Sequence, residues 1–403
     1  MSSLKGIFSI GGWTVLGQAA YLVALPVITR LYTEESIAQL AAFVAIVGII
    51  APASCLRIPL ILPIVADNLL TSSARLSLAC LTLVSASAYL AATTGLLSFA
   101  YIYGNGYDAF FLSAMIFAVG VWQILSSIST RYRQFNSLGL SKAAQGVVSA
   151  LGQVLIASTA LKSMGLLIGD LAGKASSLVA LRKGFRVLFA PTDLGLLNSV
   201  REHKQLITKG TLAALCNGFA LQSLPLFFMT WSAEAAASVF LVQRVLRTPA
   251  GLVAQSVSRV FVSDYSLSNS PEDKRNVQKK YLVNILKVGL LPAFMVFAFG
   301  PLLSTYAFGD GFNSASLFIR PLLIATLVQV ASSSLSQMLI LNNRPGLQLA
   351  WDASRAMSLV LLFSACKIWY LSATNAIWLF ALIMASFDAA HLVISRKAIA
   401  SSE

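Results

Sequence analysis

Between Lys5 and Arg30 the chain reads Gly6-Ile7-Phe8-Ser9-Ile10-Gly11-Gly12-Trp13-Thr14-Val15-Leu16-Gly17-Gln18-Ala19-Ala20-Tyr21-Leu22-Val23-Ala24-Leu25-Pro26-Val27-Ile28-Thr29, without one formal charge. A helix that crosses a bilayer needs about 20 mostly apolar residues, so this stretch is long enough to span. It exceeds the apolar core of a signal peptide and shows no small-residue cleavage site, so it reads as a retained first span. Uncharged intervals recur at 36–56, 76–107, 109–130, 143–161, 210–233, 288–309, 321–343 and 368–387. Three further spans, 163–182, 236–262 and 347–370, carry internal charges. The second clean interval is expected to continue past Arg57 to about Ile64, and the last past Asp388 to Ser395. The total is twelve.

The composition agrees. Hydrophobic residues make up 57% of the chain and charged residues 11%, with a mean hydropathy of +0.78. A soluble domain carries about 25% charged residues, so soluble enzymes, DNA-binding factors and secreted modules are excluded. In a soluble chain, 29 Lys and Arg against 15 Asp and Glu would point to nucleic acid. In a membrane protein the same excess reads as cation-loaded cytoplasmic loops. With the N-terminus inside, the inner segments hold Lys5, Arg75, Arg131, Arg133, Lys142, Arg182, Lys183, Arg186, Arg201, Lys204, Lys209, Lys274, Arg275, Lys279, Lys280, Arg344, Arg396 and Lys397. The outer segments hold Lys162 as their one clear loop cation, so both termini are expected in the cytoplasm and no nucleic-acid partner is expected. Cys55, Cys80, Cys216 and Cys366 form no C-x-x-C pair, and His203 and His391 have no metal-ligand spacing. No metal or cofactor is expected.

The longest polar connection, 183–205, lies midway and contains Pro191. It divides the chain into an N-terminal six-helix lobe, 1–184, a cytoplasmic linker, 185–205, and a C-terminal six-helix lobe, 206–403. Pro26 and Pro225 occupy matching places in the first and seventh spans, as do Pro52 and Pro249 in the second and eighth. Six spans per half make both halves start inside, so the repeat is parallel. Such repeats bracket a central pathway in many transporters. The expected class is an all-α integral membrane protein of about twelve transmembrane helices in two such lobes around a central cavity.

A cation at a helix centre costs about 2.5–3.5 kcal/mol on insertion scales, so each needs a reason. Arg244, Arg247, Gly251, Gln255 and Ser258 share one helical face of the eighth span, with Arg244 near mid-membrane. The sixth span has Asp170 and Lys174, an i,i+4 pair that reads equally as mutual neutralisation and as cavity groups. Arg57, between Pro52 and Pro59, either faces the pathway or snorkels to the cytoplasmic interface. Arg30, Arg320, Lys367 and Lys287 read as snorkelling ends, and Asp352 with Arg355 as a tie between helices. Asp388 and His391 read as a packing pair, while Asp170 and Asp388 are also the candidates for ion coupling. The deep cations Arg57, Lys174, Arg244 and Arg247 outnumber these acids, which favours an anionic substrate. Arginine favours phosphate in particular, through its planar fork.

Three stretches carry a family resemblance: Ser3-Leu4-Lys5-Gly6 with Ile28-Thr29-Arg30-Leu31-Tyr32-Thr33-Glu34-Glu35; Gln243-Arg244-Val245-Leu246 with Pro249 and Gln255-Ser256-Val257-Ser258-Arg259-Val260-Phe261; and Phe299-Gly300-Pro301-Leu302-Leu303 with Phe308-Gly309-Asp310-Gly311-Phe312. In this order they resemble the bacterial polysaccharide and O-antigen flippases, the polysaccharide-transporter branch of the multidrug/oligosaccharidyl-lipid/polysaccharide superfamily. The resemblance implies two six-helix lobes around a cavity. It also implies transfer of undecaprenyl-diphosphate-linked oligosaccharides from the cytoplasmic to the outer leaflet of the bacterial inner membrane. It places Arg57 and Arg244 where the family has cavity cations. Pro59 stands where the family often has an acid, and Glu34 where it usually has proline, which weighs against a cation-coupling site on the second span.

The resulting expectation is a non-enzymatic flippase whose cations hold the diphosphate, with Gln18, Tyr21, Asn217, Gln222 and Gln255 as polar cavity groups. Its partners would be the lipid-linked oligosaccharide, membrane lipid, and the polymerase and glycosyltransferases of the same pathway. Two alternatives stay open: a cation-coupled drug or metabolite exporter of the same superfamily, and a membrane-bound polysaccharide polymerase or glycosyltransferase. The latter pair would typically bring a large outer loop or an acidic metal-binding motif in a cytoplasmic domain, and neither is evident.

Overall fold

A computed structural model of the chain describes residues 2–63, 65–97, 106–190, 206–266, 270–335 and 345–400. Among them there is no strand, and twelve helices of at least 15 residues succeed one another. They are α1 (Ser2–Leu31), α2 (Glu34–Ser54), α3 (Asp67–Thr93), α4 (Gly106–Arg131), α5 (Phe135–Ile156), α6 (Gly165–Val179), α7 (Thr211–Phe228), α8 (Ala233–Ser266), α9 (Pro271–Phe308), α10 (Ser314–Ser334), α11 (Pro345–Ile368) and α12 (Ala373–Ala400). Among the described residues nine helices are long and apolar enough to cross a membrane, and α6 with the bent-on turn Arg182–Leu188 makes a tenth. The two that fall short are α5, rich in polar side chains, and α8, which carries Arg244 and Arg247. Backbone polar groups in lipid must be satisfied internally, and helices achieve this within a single segment.

Local chemistry starts and stops these helices. Thr33 caps α2, its Oγ1 accepting from Ser36 N at 3.4 Å, with Glu34 and Glu35 in the first turn to suit the helix dipole. Ser270 caps α9 in the same way, accepting from Asp273 N at 3.0 Å, with Pro271 behind it. The expected continuation of the second span to Ile64 is not what the structure shows. Helix α2 ends at Ser54, Leu56 and Arg57 turn left-handed (φ 50° and 59°), and Ile58–Leu60 form a single 3-10 turn. Pro59 has no N–H to continue an α-helical ladder and restricts Ile58 before it. Ile64 itself lies outside the described residues, as do 191–205 of the expected linker with Arg201, His203 and Lys204, and also Arg344.

The chain forms two compact units, Met1–Ala233 and Glu234–Glu403. In the first, α5 packs between α1 and α6, α4 against α3 and α6, and α2 against α4 and α7. Two inner-segment cations tie loops to this unit. Arg75 donates to the carbonyls of Leu188 (2.9 Å) and Ala190 (2.5 Å). Arg131 donates to Leu62 (3.1 Å) and Val65 (2.6 Å) and pairs with Asp67. In the second unit α10 packs against α9 and α12, and α11 against α12. Glu234 at the start of α8 accepts from the backbone N–H of Ser314 (2.8 Å) and its hydroxyl (2.7 Å), joining the N-termini of α8 and α10. Val288, Leu290, Leu291, Phe294, Leu302 and Leu303 of α9 are exposed, as apolar side chains facing lipid should be.

Candidate functional site

In the first unit the polar centre is built on α5 and α6. Asp170 and Lys174, one turn apart on α6, are both buried, and Lys174 Nζ donates to Asp170 Oδ2. Gly165, Gly169 and Gly173 recur every fourth residue on that helix. A Cβ on Gly169 would stand 2.6 Å from Gln153 N, and one on Gly173 2.6 Å from Gln145 O. Small residues at this spacing let two membrane helices approach backbone to backbone, which brings α5 side chains beside the ion pair. Lys142 of α5 lies 3.7 Å over the Trp122 ring and within Coulombic range of Lys174. Two cations therefore lie close together there, and Asp170 pairs with one of them.

Other expected groups of this unit are placed as follows. Gln18 is half-buried and Tyr21 buried on α1, whose Gly17 packs against Lys142 and Ala143. Asn217 and Gln222 are half-buried on α7, where Gln222 lies against Gly48 of α2. Arg57 is half-buried in the left-handed turn after α2.

In the second unit the expected α8 face is the accessible one. Arg244, Arg247, Gly251 and Ser258 are half-buried and Gln255 is exposed, while Val239, Val242, Leu246, Ala254 and Phe261 are buried. Arg244 sits 5.3 Å from the Phe240 ring centre. Arg247 lies within Coulombic range of Asp388 and Arg355. Buried Arg355 reaches Asp352 at 3.1 Å and Asp388 at 3.7 Å and lies over the Trp351 ring. Asp352 and Arg355 thus tie α11 to Asp388 of α12. His391 hydrogen-bonds Ser332 of α10 and Gln348 of α11 rather than Asp388, its partner in the sequence reading.

The expected sites divide between the units: Arg57, Lys174 and Asp170 in the first, Arg244, Arg247, Gln255 and Asp388 in the second. Among the described residues no group of three or more His, Cys, Asp or Glu could hold a metal ion, and the four cysteines are free.

The fold of the whole chain is similar to that of the lipid II flippase MurJ in an inward closed conformation. The TM-score is 0.73 at 14% identity, over 98% of this chain and 87% of that one. At this identity the likeness is one of fold. An inward-facing MATE-family multidrug resistance transporter of the MOP superfamily matches with a TM-score of 0.68 at 13% identity, over 95% of both chains. A MOP-superfamily transporter from Pyrococcus furiosus, described by a binding pocket of reversed polarity, matches with a TM-score of 0.60 at 14% identity, over 98% and 96%. No protein-family profile matches the chain, and no curated protein sequence does.

On this fold, sequence reasoning missed several polar residues. Lys142, counted among the inner-segment cations, lies about two turns into α5. Gln153 is fully buried with Oε1 lacking a partner, and Gln243 is buried with Nε2 lacking one. The repeated glycines of α6 were the available signal for the α5 groups, because they mark the face that a second helix approaches. For Ser332 and Gln348 no local signal exists.

Proposed function

We propose that the protein is a flippase that moves a polyprenyl-diphosphate-linked oligosaccharide, such as an O-antigen repeat unit, from the cytoplasmic to the outer leaflet of a bacterial inner membrane. It works by alternating access of its two repeat halves, 1–184 and 206–403, linked by 185–205, with both termini in the cytoplasm and no chemical step. The polymerase and glycosyltransferases of the same pathway would supply and consume the cargo. The observation that carries this reading is the sign of the buried charge on a transporter fold. Lys142 and Lys174 lie within Coulombic range of each other while Asp170 pairs with Lys174, and Arg244 and Arg247 lie on the accessible face of α8. A diphosphate in a low-dielectric setting is held by such cations through charge-assisted hydrogen bonds. Arg57, Gln18, Tyr21, Asn217, Gln222 and Gln255 would add contacts to headgroup and glycan. The likeness to a lipid II flippase supports a lipid-linked cargo.

A second reading, a cation-coupled exporter of small organic molecules, is favoured by the MATE likeness and by the buried acids Asp170 and Asp388. Reconstituted vesicles separate the two. Flipping of a polyprenyl-diphosphate oligosaccharide is read by its exposure to a membrane-impermeant reagent, per unit of inserted protein. Loss of one charged hydrogen-bond partner costs about 1.5–3 kcal/mol, so Arg244→Ala should slow flipping by about 10–100-fold. Arg244→Lys, a point charge without the fork, should fall between Ala and wild type. Wild-type flipping by Arg244→Ala, Arg247→Ala and their combination, with export of an organic cation instead, would overturn the flippase reading.

A further inference from the structure

The bent-on turn Arg182–Leu188 leaves α6 at 63°. From Lys162 to Val179 the chain already rises about 27 Å at 1.5 Å per residue, close to a hydrocarbon thickness of about 30 Å. The bend therefore falls at a membrane boundary and turns the next residues toward the plane of the interface. Two contacts hold them there. Gly184 is buried against α4, where an added Cβ would stand 3.0 Å from Leu125 Cδ2. Arg75 of α3 donates to the carbonyls of Leu188 and Ala190, which satisfies acceptors that the end of a short helix leaves over.

These contacts use one edge of the turn, on which Leu181, Gly184 and Leu188 are buried. The other edge presents Arg182, Lys183, Arg186 and Phe189, all exposed. Phe189 is 72% exposed and stacks on Phe185, the ring centres 6.5 Å apart and the planes 9° from parallel. The stretch 182–189 contains no acid. Among the described residues none of its three cations has an ion-pair partner. Cations beside an exposed aromatic pair suit a segment lying in a headgroup layer, with rings toward the acyl chains and charges among the phosphates. The other cation-rich inner stretch is placed differently. Helix α9 starts at Pro271, so at 1.5 Å per residue Lys274 and Arg275 stand about 20 Å beyond Val288, past a Debye length of about 8 Å.

We propose that Arg182, Lys183 and Arg186, with the Phe185–Phe189 pair, form a docking site for the headgroup of an anionic phospholipid at the inner end of α6. Charge complementarity selects this occupant. Three cations without an acid match a phosphodiester headgroup that carries a net negative charge, whereas a zwitterionic headgroup brings a cation of its own. The site does not depend on the cargo proposed above; only its assignment to the cytoplasmic leaflet rests on the orientation given there.

Photoactivatable phosphatidylglycerol and phosphatidylcholine, mixed in equal amounts in nanodiscs around the whole protein, test the site. Crosslinks to 182–189 are read by mass spectrometry. Phosphatidylglycerol should dominate, each cation weighing about fivefold in the preference (about 1 kcal/mol). Arg182→Gln, Lys183→Gln and Arg186→Gln together should bring the two lipids near parity. Arg182→Lys with Arg186→Lys, which keeps the charge, should hold the wild-type ratio. Added salt should lower that ratio in wild type and leave the triple Gln variant unmoved. Phe189→Ser should reduce crosslinks to both lipids alike, because the ring sets depth and not headgroup choice. Equal labelling by the two lipids in wild type, or an unchanged ratio in the triple Gln variant, would overturn the docking site. Displacement of phosphatidylglycerol from these residues by a polyprenyl-diphosphate oligosaccharide would also overturn it and hand the residues to the cargo. Lipid preference in a protein that does not flip the oligosaccharide removes the flippase reading alone; flipping with equal labelling removes the docking site alone.

Discussion

Changing Asp170 to Asn tests the charge arrangement in the first unit most directly. Asp170 and Lys174 are 5% and 8% exposed, so water screens the pair little. At about 4 Å and an effective dielectric of about 20, two unit charges attract by about 4 kcal/mol. Breaking a buried pair by removing one partner costs about 3–5 kcal/mol in soluble proteins, because the other charge stays buried and uncompensated. Here the cost should fall at the upper end, since Lys142 remains within Coulombic range of Lys174 and two cations would face each other without an acid. At about 1.4 kcal/mol per decade, the folded-to-unfolded ratio should drop by about two to three and a half orders of magnitude. Lys174→Gln should cost less, because it also removes the repulsion between Lys142 and Lys174. The double change Asp170→Asn with Lys174→Gln should recover most of the loss. Thermal unfolding of detergent-solubilised protein, followed by size exclusion, reads all three. An Asp170→Asn protein that melts with wild type would refute the reasoning. A double variant that folds but does not flip a polyprenyl-diphosphate oligosaccharide that wild type flips would assign the pair to transport rather than packing.

Other changes separate backbone strain and packing from function. A non-glycine residue in the left-handed region costs about 1–2 kcal/mol, so Arg57→Gly should melt no lower than wild type and Arg57→Val clearly lower. Leu56→Gly is the matched control for strain (φ 50°), and a flipping defect in Arg57→Gly alone would mark the guanidinium as functional. Gly169→Ala forces a Cβ to 2.6 Å from Gln153 N and should cost about 1–3 kcal/mol in the same melting assay. Gly251→Ala, with nothing within 4 Å, should be neutral or better.

The membrane class and the succession of spans were legible in the residue order because transfer into lipid is nearly additive over a window of about 20 residues. The uncharged run of 6–29 needs no partner to be read. The stop after α2 was equally local: Pro59 carried it, and overlooking it extended the span too far. The α5–α6 contact was encoded in Gly165, Gly169 and Gly173, although which helix would fill the groove was not. Pairing among buried polar groups is a different kind of property. A helix shows which residues share a face, but a hydrogen bond depends on distances of a few tenths of an ångström between helices far apart in sequence. Lys142 reads as a loop cation until Trp122 is found beneath it. Asp388 and His391 read as one pair, yet folding gives Asp388 to Arg355 and His391 to Ser332 and Gln348. Low dielectric raises the stakes of each of these choices, and only packing α10 and α11 against α12 makes them.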